Sequence, residues 1–301
     1  MKFSLVLATL GRTNELANFL VHLNCQSYRN FELIVVDQNH DDRLIPILAP
    51  YSSYFQIKHL RAARGLSHAR NIGLQHVSGD VVAFPDDDCW YQPQVLERVA
   101  TNLDARPDWD GLTGRWNTRQ ARSSNRHRAE FLNRFNVWLR TCSILIFLRS
   151  SAVAAAGDFD ELLGCGSSSG FGGGEETDYL LRAIEKNCRI WYEPSLLIDH
   201  PQNVPPYDDQ AIRKAYSYAR GVGYTIRKHH YPLWHLSYFL LRHVFGATIS
   251  LVKGDFPRAR FYWALLRGRL SGWVSGSGYV QKTEDSFRDN LQQGRKKART
   301  I

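Results

Sequence analysis

The 301-residue sequence predicts an α/β fold, with a sheet flanked by helices and a helical C-terminal region. Short apolar runs rich in β-branched residues alternate with helix-like segments over the first 200 residues, which is typical of β-α-β units. The last third is aromatic and basic, and its apolar residues recur at helical spacing. We expect one domain at residues 1–215 and a helical region at 216–301, with a flexible tail from about residue 290.

The apolar runs and their periods assign each element in order. In the first part, the expected strands and helices are strands 3–8, 32–36, 57–60 and 79–84, with helices 15–24 and 66–76. Further along, the expected elements are strands 143–147, 190–193 and 196–200, loops 115–128 and 164–174, and helix 175–186. Ligands gather at the carboxyl ends of the strands in open parallel sheets, so Thr9, Asp37 and the acids at 86–88 should approach one crevice.

The formal net charge of +9 is concentrated at the C-terminal end, where residues 216–301 hold 15 Lys and Arg against 4 Asp and Glu. This asymmetry favours a basic appendage that binds an anionic membrane or nucleic acid. The five cysteines are odd in number and widely spaced, which indicates reduced thiols of a cytosolic protein. The apolar run at 3–10 is too short for a secretory signal.

Three consecutive acids, Asp86, Asp87 and Asp88, follow the apolar run VVAF. Carboxylate oxygens are the ligands that Mg²⁺ and Mn²⁺ prefer, and Mg²⁺ is often shared with substrate phosphates. Without a cation, the like charges at the end of a strand would repel one another. The pattern predicts a divalent-cation site, and the alternative is a solvated acidic turn.

The order of motifs resembles the family 2 glycosyltransferases of the GT-A fold over residues 3 to about 200. The motifs that carry the resemblance are FSLVLATLGR, FELIVVDQN, GLSHARNIGL, GDVVAFPDDDCWYQP and GGGEETDYLLR, followed by YEP and DH. The resemblance implies a Rossmann-like mixed sheet and a metal-dependent, inverting hexosyl- or deoxyhexosyltransferase. Such an enzyme moves a sugar from a nucleotide-sugar donor to a hydroxyl of a glycan acceptor.

The resemblance also implies residue roles on the donor side. Residues implied to bind the nucleotide sugar are Thr9, Arg12, Asp37, Gln38, Arg64, Arg70, Asn71, Asp86 and Asp87. Gln38 departs from the family pattern, in which many members carry a second acid at this position, and its amide can still bond a base edge. Arg70 and Asn71 have a structural alternative, as a salt-bridged and a packed residue at a helix start.

The implied metal ligands are Asp88, Asp86 and His200, and the resemblance assigns this role most directly to Asp88. A lone histidine is more often structural, which is the alternative for His200. The implied general base is Glu176, six residues before Arg182.

Two further acids stand beside the expected base. Asp178 is the second candidate for the base, and Glu175 is expected to orient the acceptor or the sugar hydroxyls. Acids also stabilise and cap the start of a helix, so a purely structural role remains open for all of them.

Residues 233–252 are long enough to span a bilayer as a helix. A central Arg242 costs about 2.5–3.5 kcal/mol on insertion, so an amphipathic helix at the membrane surface is the expected form. Residues 258–270 repeat the pattern with Arg260 and Arg267, and the alternative is a soluble helical hairpin. We expect a cytoplasmic protein, peripheral at the inner face of the cell membrane, acting on a lipid-linked glycan in surface polysaccharide or exopolysaccharide synthesis.

Two other classes of protein fit less well. A nucleic-acid-binding protein would need base-reading or stacking motifs in the basic part, and we find none. A nucleotidyltransferase that makes the sugar donor would need a glycine-rich phosphate loop after the first strand, where this chain has ATLGRTNE. Trp90, Trp116 and Trp191 are candidates for stacking on sugars, with core packing as the alternative.

Overall fold

The computed structural model describes residues 1–117, 128–201 and 206–298, with side chains through residue 279. The chain forms two compact units, Met1–Ser167 with Glu175–Val204, and Ser168–Gly174 with Pro205–Ile301. The strands are β1 Phe3–Thr9, β2 Phe31–Asp37, β3 Gln56–Arg61, β4 Val81–Ala83, β5 Gly111–Trp116, β6 Glu130–Phe131, β7 Ile146–Arg149 and β8 Ile190–Ile198. The helices are α1 Asn14–Asn24, α2 Ile45–Leu48, α3 Leu66–Leu74, α4 Val95–Ala105, α5 Val137–Arg140, α6 Ser150–Ala156, α7 Glu175–Glu185, α8 Asp209–Lys228, α9 Leu233–Val252 and α10 Phe256–Ala298.

The first unit is built on one eight-stranded mixed sheet in the order β3-β2-β1-β4-β7-β5-β8-β6. Strands β3, β2, β1 and β4 run parallel, while β7 is antiparallel to both of its neighbours. Thr9 and Asp37 are register partners at the carboxyl ends of β1 and β2. Because parallel strands end at one edge, the polar residues that follow them are brought together. The predicted mixed α/β fold with C-terminal helices is confirmed.

Two helices pack on this sheet as their sequences require. Helix α1 buries the predicted face, formed by Leu16, Phe19, Leu20 and Leu23. Helix α3 approaches the sheet closely at Gly73, where a Cβ atom would lie 2.4 Å from Val6 Cγ1. A larger residue there would push away the helix that carries Arg70.

Several predicted elements need correction. The strand expected at 79–84 is only Val81–Ala83, and the one expected at 143–147 is a 3₁₀ turn at Ser143–Leu145 followed by β7. The two strands expected at 190–193 and 196–200 are the single strand β8, in which a register shift against β5 absorbs Pro194.

The loop expected at 115–128 is wrong for Arg115 and Trp116, which end β5, while residues 118–127 lie outside the described part. Helix α4 was not predicted, although its apolar residues have helical spacing. Its buried face is formed by Val95, Leu96, Val99, Ala100 and Leu103.

The second unit consists of three long helices, with the segment Ser168–Gly174 packed on α8. Small residues let α8 and α10 approach closely, since a Cβ atom on Gly272 would lie 1.9 Å from Arg220 O. Helix α9 has the predicted bounds, and α10 continues to Ala298, so flexibility from about residue 290 stays a prediction. Within the described residues, no helix combines the length and apolar character needed to cross a bilayer.

Candidate active site

Hydrogen bonds connect the end of β1 to the acidic turn after β4. Thr9 Oγ1 donates a hydrogen bond to Asp87 Oδ2 at 2.6 Å, and Arg12 Nη1 donates one to Asp87 Oδ1 at 2.7 Å. Burial raises the pKa of Asp87, although both bonds act in the opposite direction. Asp87 is therefore an inward-facing link between β1 and the turn, and its expected contact with ribose stays a prediction.

Asp88 lies between the Arg12 guanidinium and the His200 ring. Its Oδ2 lies 2.5 Å from an Arg12 guanidinium nitrogen, and its Oδ1 lies 3.3 Å from His200 Nε2. Burial acts to raise the pKa of Asp88, but the hydrogen bond from His200 and the Arg12 charge outweigh it and lower the pKa. The hydrogen bond to Asp88 raises the pKa of His200 in turn.

The backbone explains why His200 reaches Asp88, 112 positions earlier in the chain. Trp90 and Asp199 form an isolated antiparallel bridge, with both backbone N–H groups donating across it. This pairing places His200, the next residue, against the acidic turn. The Trp116 ring stacks on the His200 ring, with centroids 5.4 Å apart and planes at 5°.

Asp37 is buried, and its side chain is engaged within the protein. His59 Nε2 and an Arg61 guanidinium nitrogen each lie 2.9 Å from Asp37 Oδ2, while Asn39 donates to Oδ1. Gln38 is also buried, and its Oε1 accepts a hydrogen bond from Gly65 N at 2.7 Å. Both residues lie at the carboxyl end of β2, and their direct contact with a nucleotide base stays a prediction.

Arg70 joins the two groups of acids that the sequence separates by about ninety residues. Its guanidinium lies 3.1 Å from Asp86 Oδ1 and 3.3 Å from Glu175 Oε1. Arg70 is 1% exposed and packs over the Phe159 ring, so its position is set by the core of the unit. The acidic turn and the start of α7 therefore meet at Arg70, while a shared cleft that joins Asp88 and Glu176 stays a prediction.

Asn71, the neighbour of Arg70, has its amide engaged with another loop. It donates to Phe159 O and Glu161 Oε1, and it accepts from Phe159 N. Arg64 is exposed, and a Cβ atom on Gly166 would lie 3.1 Å from its Cγ. The structure thus places Asn71 as a loop anchor and Arg64 beside the glycine-rich loop, and nucleotide binding by either stays a prediction.

Glu175 and Glu176 are the first two residues of α7, and the pKa of each side chain is raised. Burial and the adjacent Glu175 charge raise the pKa of Glu176 to about 8. Burial also raises the pKa of Glu175 against the Arg70 charge. Within the described residues, Glu175 Oε2 is buried without a hydrogen-bond partner. A carboxylate held in this way is a strong proton acceptor once it is ionised.

Asp178, the second candidate for the base, is fully buried. Its Oδ2 accepts from Arg182 Nε at 3.0 Å, and Arg182 also donates to Ala156 O. This ion pair anchors α7 rather than facing a crevice. Glu176, which is half-buried, is the better placed of the two.

The network of contacts includes residues that sequence reasoning missed. Ser143 Oγ lies 3.3 Å from Asp86 Oδ2, and its only signal in the sequence was a place at the start of an expected strand. Of the three tryptophans considered for sugar stacking, Trp191 stacks on Trp109 at 4.8 Å, and Trp90 lies against His22. Trp116, in contrast, stacks on His200, which is an expected site residue.

Asp88 and His200 offer the oxygen and nitrogen donors that a divalent cation accepts. In the described part of the chain, no three His, Cys, Asp or Glu side chains form a preformed metal cluster. The two residues therefore fit a cation that takes its remaining ligands from a bound diphosphate, which is common for Mg²⁺.

The fold and this site define a protein of the GT-A class, with acids at the carboxyl ends of parallel strands facing acids at a helix start. The family described as "Glycosyl transferase family 2" matches residues 4–151. Residues 4–151 therefore match glycosyltransferase family 2, as the resemblance implied.

Known relatives support this assignment. An uncharacterized glycosyltransferase, YwdF of Bacillus subtilis, is 29% identical over 105 residues, which are 35% of this chain and 39% of YwdF. The chain thus matches about two-fifths of that relative's length. Glycosyltransferase AglE of Haloferax volcanii is 23% identical over 292 residues, covering 92% of this chain and 89% of AglE.

A solved structure shares the fold. The mannosyltransferase PcManGT from Pyrobaculum calidifontis, solved in complex with GDP-Man and Mn²⁺, superposes with a TM-score of 0.61 at 15% identity. The match covers 90% of this chain and 86% of PcManGT.

Proposed function

We propose that this protein is an inverting, metal-dependent glycosyltransferase that moves a hexose or deoxyhexose from a nucleotide sugar to a hydroxyl of a glycan. The observation that carries the proposal is the Arg70 bridge, which connects Asp86 to Glu175 at the start of α7. Glu176 therefore stands beside the turn that ends in Asp88. An acceptor oxygen activated by Glu176 can meet a donor held at that turn.

The chain's own residues supply binding and proton transfer. Glu176 removes the proton of the acceptor hydroxyl while that oxygen attacks the anomeric carbon, and the bond to the nucleotide diphosphate breaks on the opposite face. This single displacement inverts the configuration. General-base catalysis contributes about 10²–10⁴-fold, and the positioning of donor and acceptor supplies a further large part.

Asp88 and His200 would hold the divalent cation, with Asp86 in support. A bound cation neutralises charge that develops on a leaving diphosphate. Arg12, which already contacts Asp88, adds a fixed positive charge on the same side. The neighbour's complex with GDP-Man and Mn²⁺ supports a donor and cation of this kind.

A donor screen with Mn²⁺ tests the proposal, scored by release of a nucleoside diphosphate. We expect the Asp88→Asn variant to lose at least about tenfold in Mn²⁺-dependent donor affinity, because a neutral amide is a weaker ligand for a hard cation. The matched control is Asp108→Asn, an exposed acid paired with Arg189. Release of pyrophosphate from a nucleoside triphosphate would instead identify a nucleotidyltransferase, and unchanged Mn²⁺ dependence in Asp88→Asn would refute the ligand assignment.

We further propose that the acceptor is a lipid-linked glycan of surface polysaccharide or exopolysaccharide synthesis, met at the inner face of the cell membrane. Helix α9 exposes large apolar side chains, including Trp234 at 60% and Phe245 at 65%. Exposed cations lie on the same unit, among them Arg242, Lys253 and Arg260. Apolar insertion with basic anchoring is typical of a helix that lies on an anionic membrane.

The double variant Trp234→Ser, Phe245→Ser should bind vesicles of anionic phosphatidylglycerol at least tenfold more weakly than the natural protein. Burial of one large apolar side chain contributes about 1.5–3 kcal/mol. Sedimentation with vesicles measures this, and Tyr54→Ser, an exposed aromatic of the first unit, is the matched control. Equal sedimentation of the double variant and the control would reject membrane docking by α9.

A further inference from the structure

A cavity of about 280 Å³ lies in the first unit, between the end of β5, helix α5 and β8. Its lining includes Arg115, Trp116, Trp138, Arg140 and Tyr192. Trp116 is 41% exposed, so the cavity has an indole at an accessible wall. Aromatic faces beside polar groups are the surfaces on which sugar rings stack.

The lining of the cavity is linked to the candidate active site through two contacts. Trp116 lines the cavity and stacks on His200, which lies 3.3 Å from Asp88. Cys142 also lines the cavity, and the next residue, Ser143, contacts Asp86. Burial and then the charges of Glu176 and Asp86 raise the pKa of the Cys142 thiol. The cavity therefore lies beside residues that contact the candidate active site.

The charge of the lining is one-sided. Among the described residues, its lining includes two arginines and no acid. Arg140 already pairs with Glu130 at 3.1 Å. Arg115 Nε, in contrast, is buried and has no hydrogen-bond partner in the described part of the chain. An arginine that lines a cavity without a paired acid among the described residues offers its charge to an anionic ligand there.

We infer that this cavity is the acceptor subsite and that it takes a sugar carrying an anionic group, either a carboxylate or a phosphate, next to the hydroxyl that is glycosylated. Arg115 binds the anion, while Trp116 and Trp138 contact the sugar ring. This inference rests on the proposed function, because it assigns the cavity to the acceptor of that reaction. Fork-shaped guanidinium groups bind both carboxylates and phosphates, so both sources share the same recognition chemistry.

Matched sugar pairs test the inference by equilibrium binding without donor. The probes are methyl glucuronide, methyl glucoside 6-phosphate and neutral methyl glucoside, titrated by saturation-transfer NMR. We expect at least one anionic probe to bind about tenfold more tightly than the neutral one, and the stronger of the two identifies the anion. Equal binding of all three probes would overturn the inference.

The Arg115→Gln variant should lose this discrimination, and Arg115→Lys should recover part of it, because Lys keeps the charge without the fork. Anionic binding unchanged in Arg115→Gln would also overturn the inference. The comparison of probes on the natural protein stands even if a variant does not fold. This test can fail independently of the proposed function. Absence of nucleoside diphosphate release with every donor would contradict the proposed function, whereas the titrations test only the acceptor subsite and need no donor.

Discussion

Replacing Glu176 with Gln should reduce glycosyl transfer by about 10²–10⁴-fold, since the amide cannot accept the acceptor proton. Donor binding should be retained, because the carboxylate acts on the acceptor and not on the nucleotide. Transfer is measured as product formed per unit time, and donor binding as the rise in melting temperature with added donor. The loss should appear in kcat, as expected for an interaction used only in the transition state.

Glu185→Gln is the matched control, since it makes the same change at an exposed position of α7. A Glu176→Gln variant as active as this control would remove Glu176 as the base. Asp178→Asn is less informative, because Asp178 anchors α7 through Arg182, so the change would also affect stability.

The pH dependence provides a second readout of the same base. Because the pKa of Glu176 is raised to about 8, the group is protonated and inactive as a base below that pH. We therefore expect kcat/KM to rise about tenfold per pH unit toward pH 8 and then level off. Glu175→Gln removes the neighbouring charge and should move the inflection to lower pH. An inflection that stays in place would show that Glu175 does not act on Glu176.

Replacing Arg70 with Met should lower the free energy of unfolding by about 3–5 kcal/mol at pH 7.5, because it leaves the buried Glu175 without its positively charged partner. Arg70 is 1% exposed and contacts both Asp86 and Glu175, of which Glu175 is the more buried. Urea unfolding followed by circular dichroism measures the change. Arg64→Met, at an exposed arginine of the same segment, should stay within about 0.5 kcal/mol of the natural protein.

The destabilisation by Arg70→Met should itself depend on pH. The pKa of Glu175 is already raised by burial, and loss of the Arg70 charge raises it further. An acid with a raised pKa in the folded state makes folding less favourable as the pH rises above its unfolded value. The difference between variant and natural protein should therefore shrink at pH 5. A difference that is equal at pH 5 and pH 7.5 would show that lost packing, and not uncompensated charge, is the cause.

The parallel strands β1 and β2 were predicted well from the sequence, because both are continuous apolar runs buried on both faces of the sheet. The strands at the β8 and β6 end of the sheet were predicted less well. Strand β8 runs through Pro194, and only a register shift against β5 makes that possible. Helix α4 has a clear helical period, although it was not predicted from the sequence.

By itself, the sequence determined the fold class, the family and the identity of the acids at the strand and helix ends, because these depend on local patterns. Only the tertiary structure decided which side chains meet. It placed Arg70 between Asp86 and Glu175 and His200 against Asp88, and it turned Asn71 toward Phe159. Partners that are far apart in the chain are selected by packing and by the burial of charge, and no local period in the sequence encodes either of them.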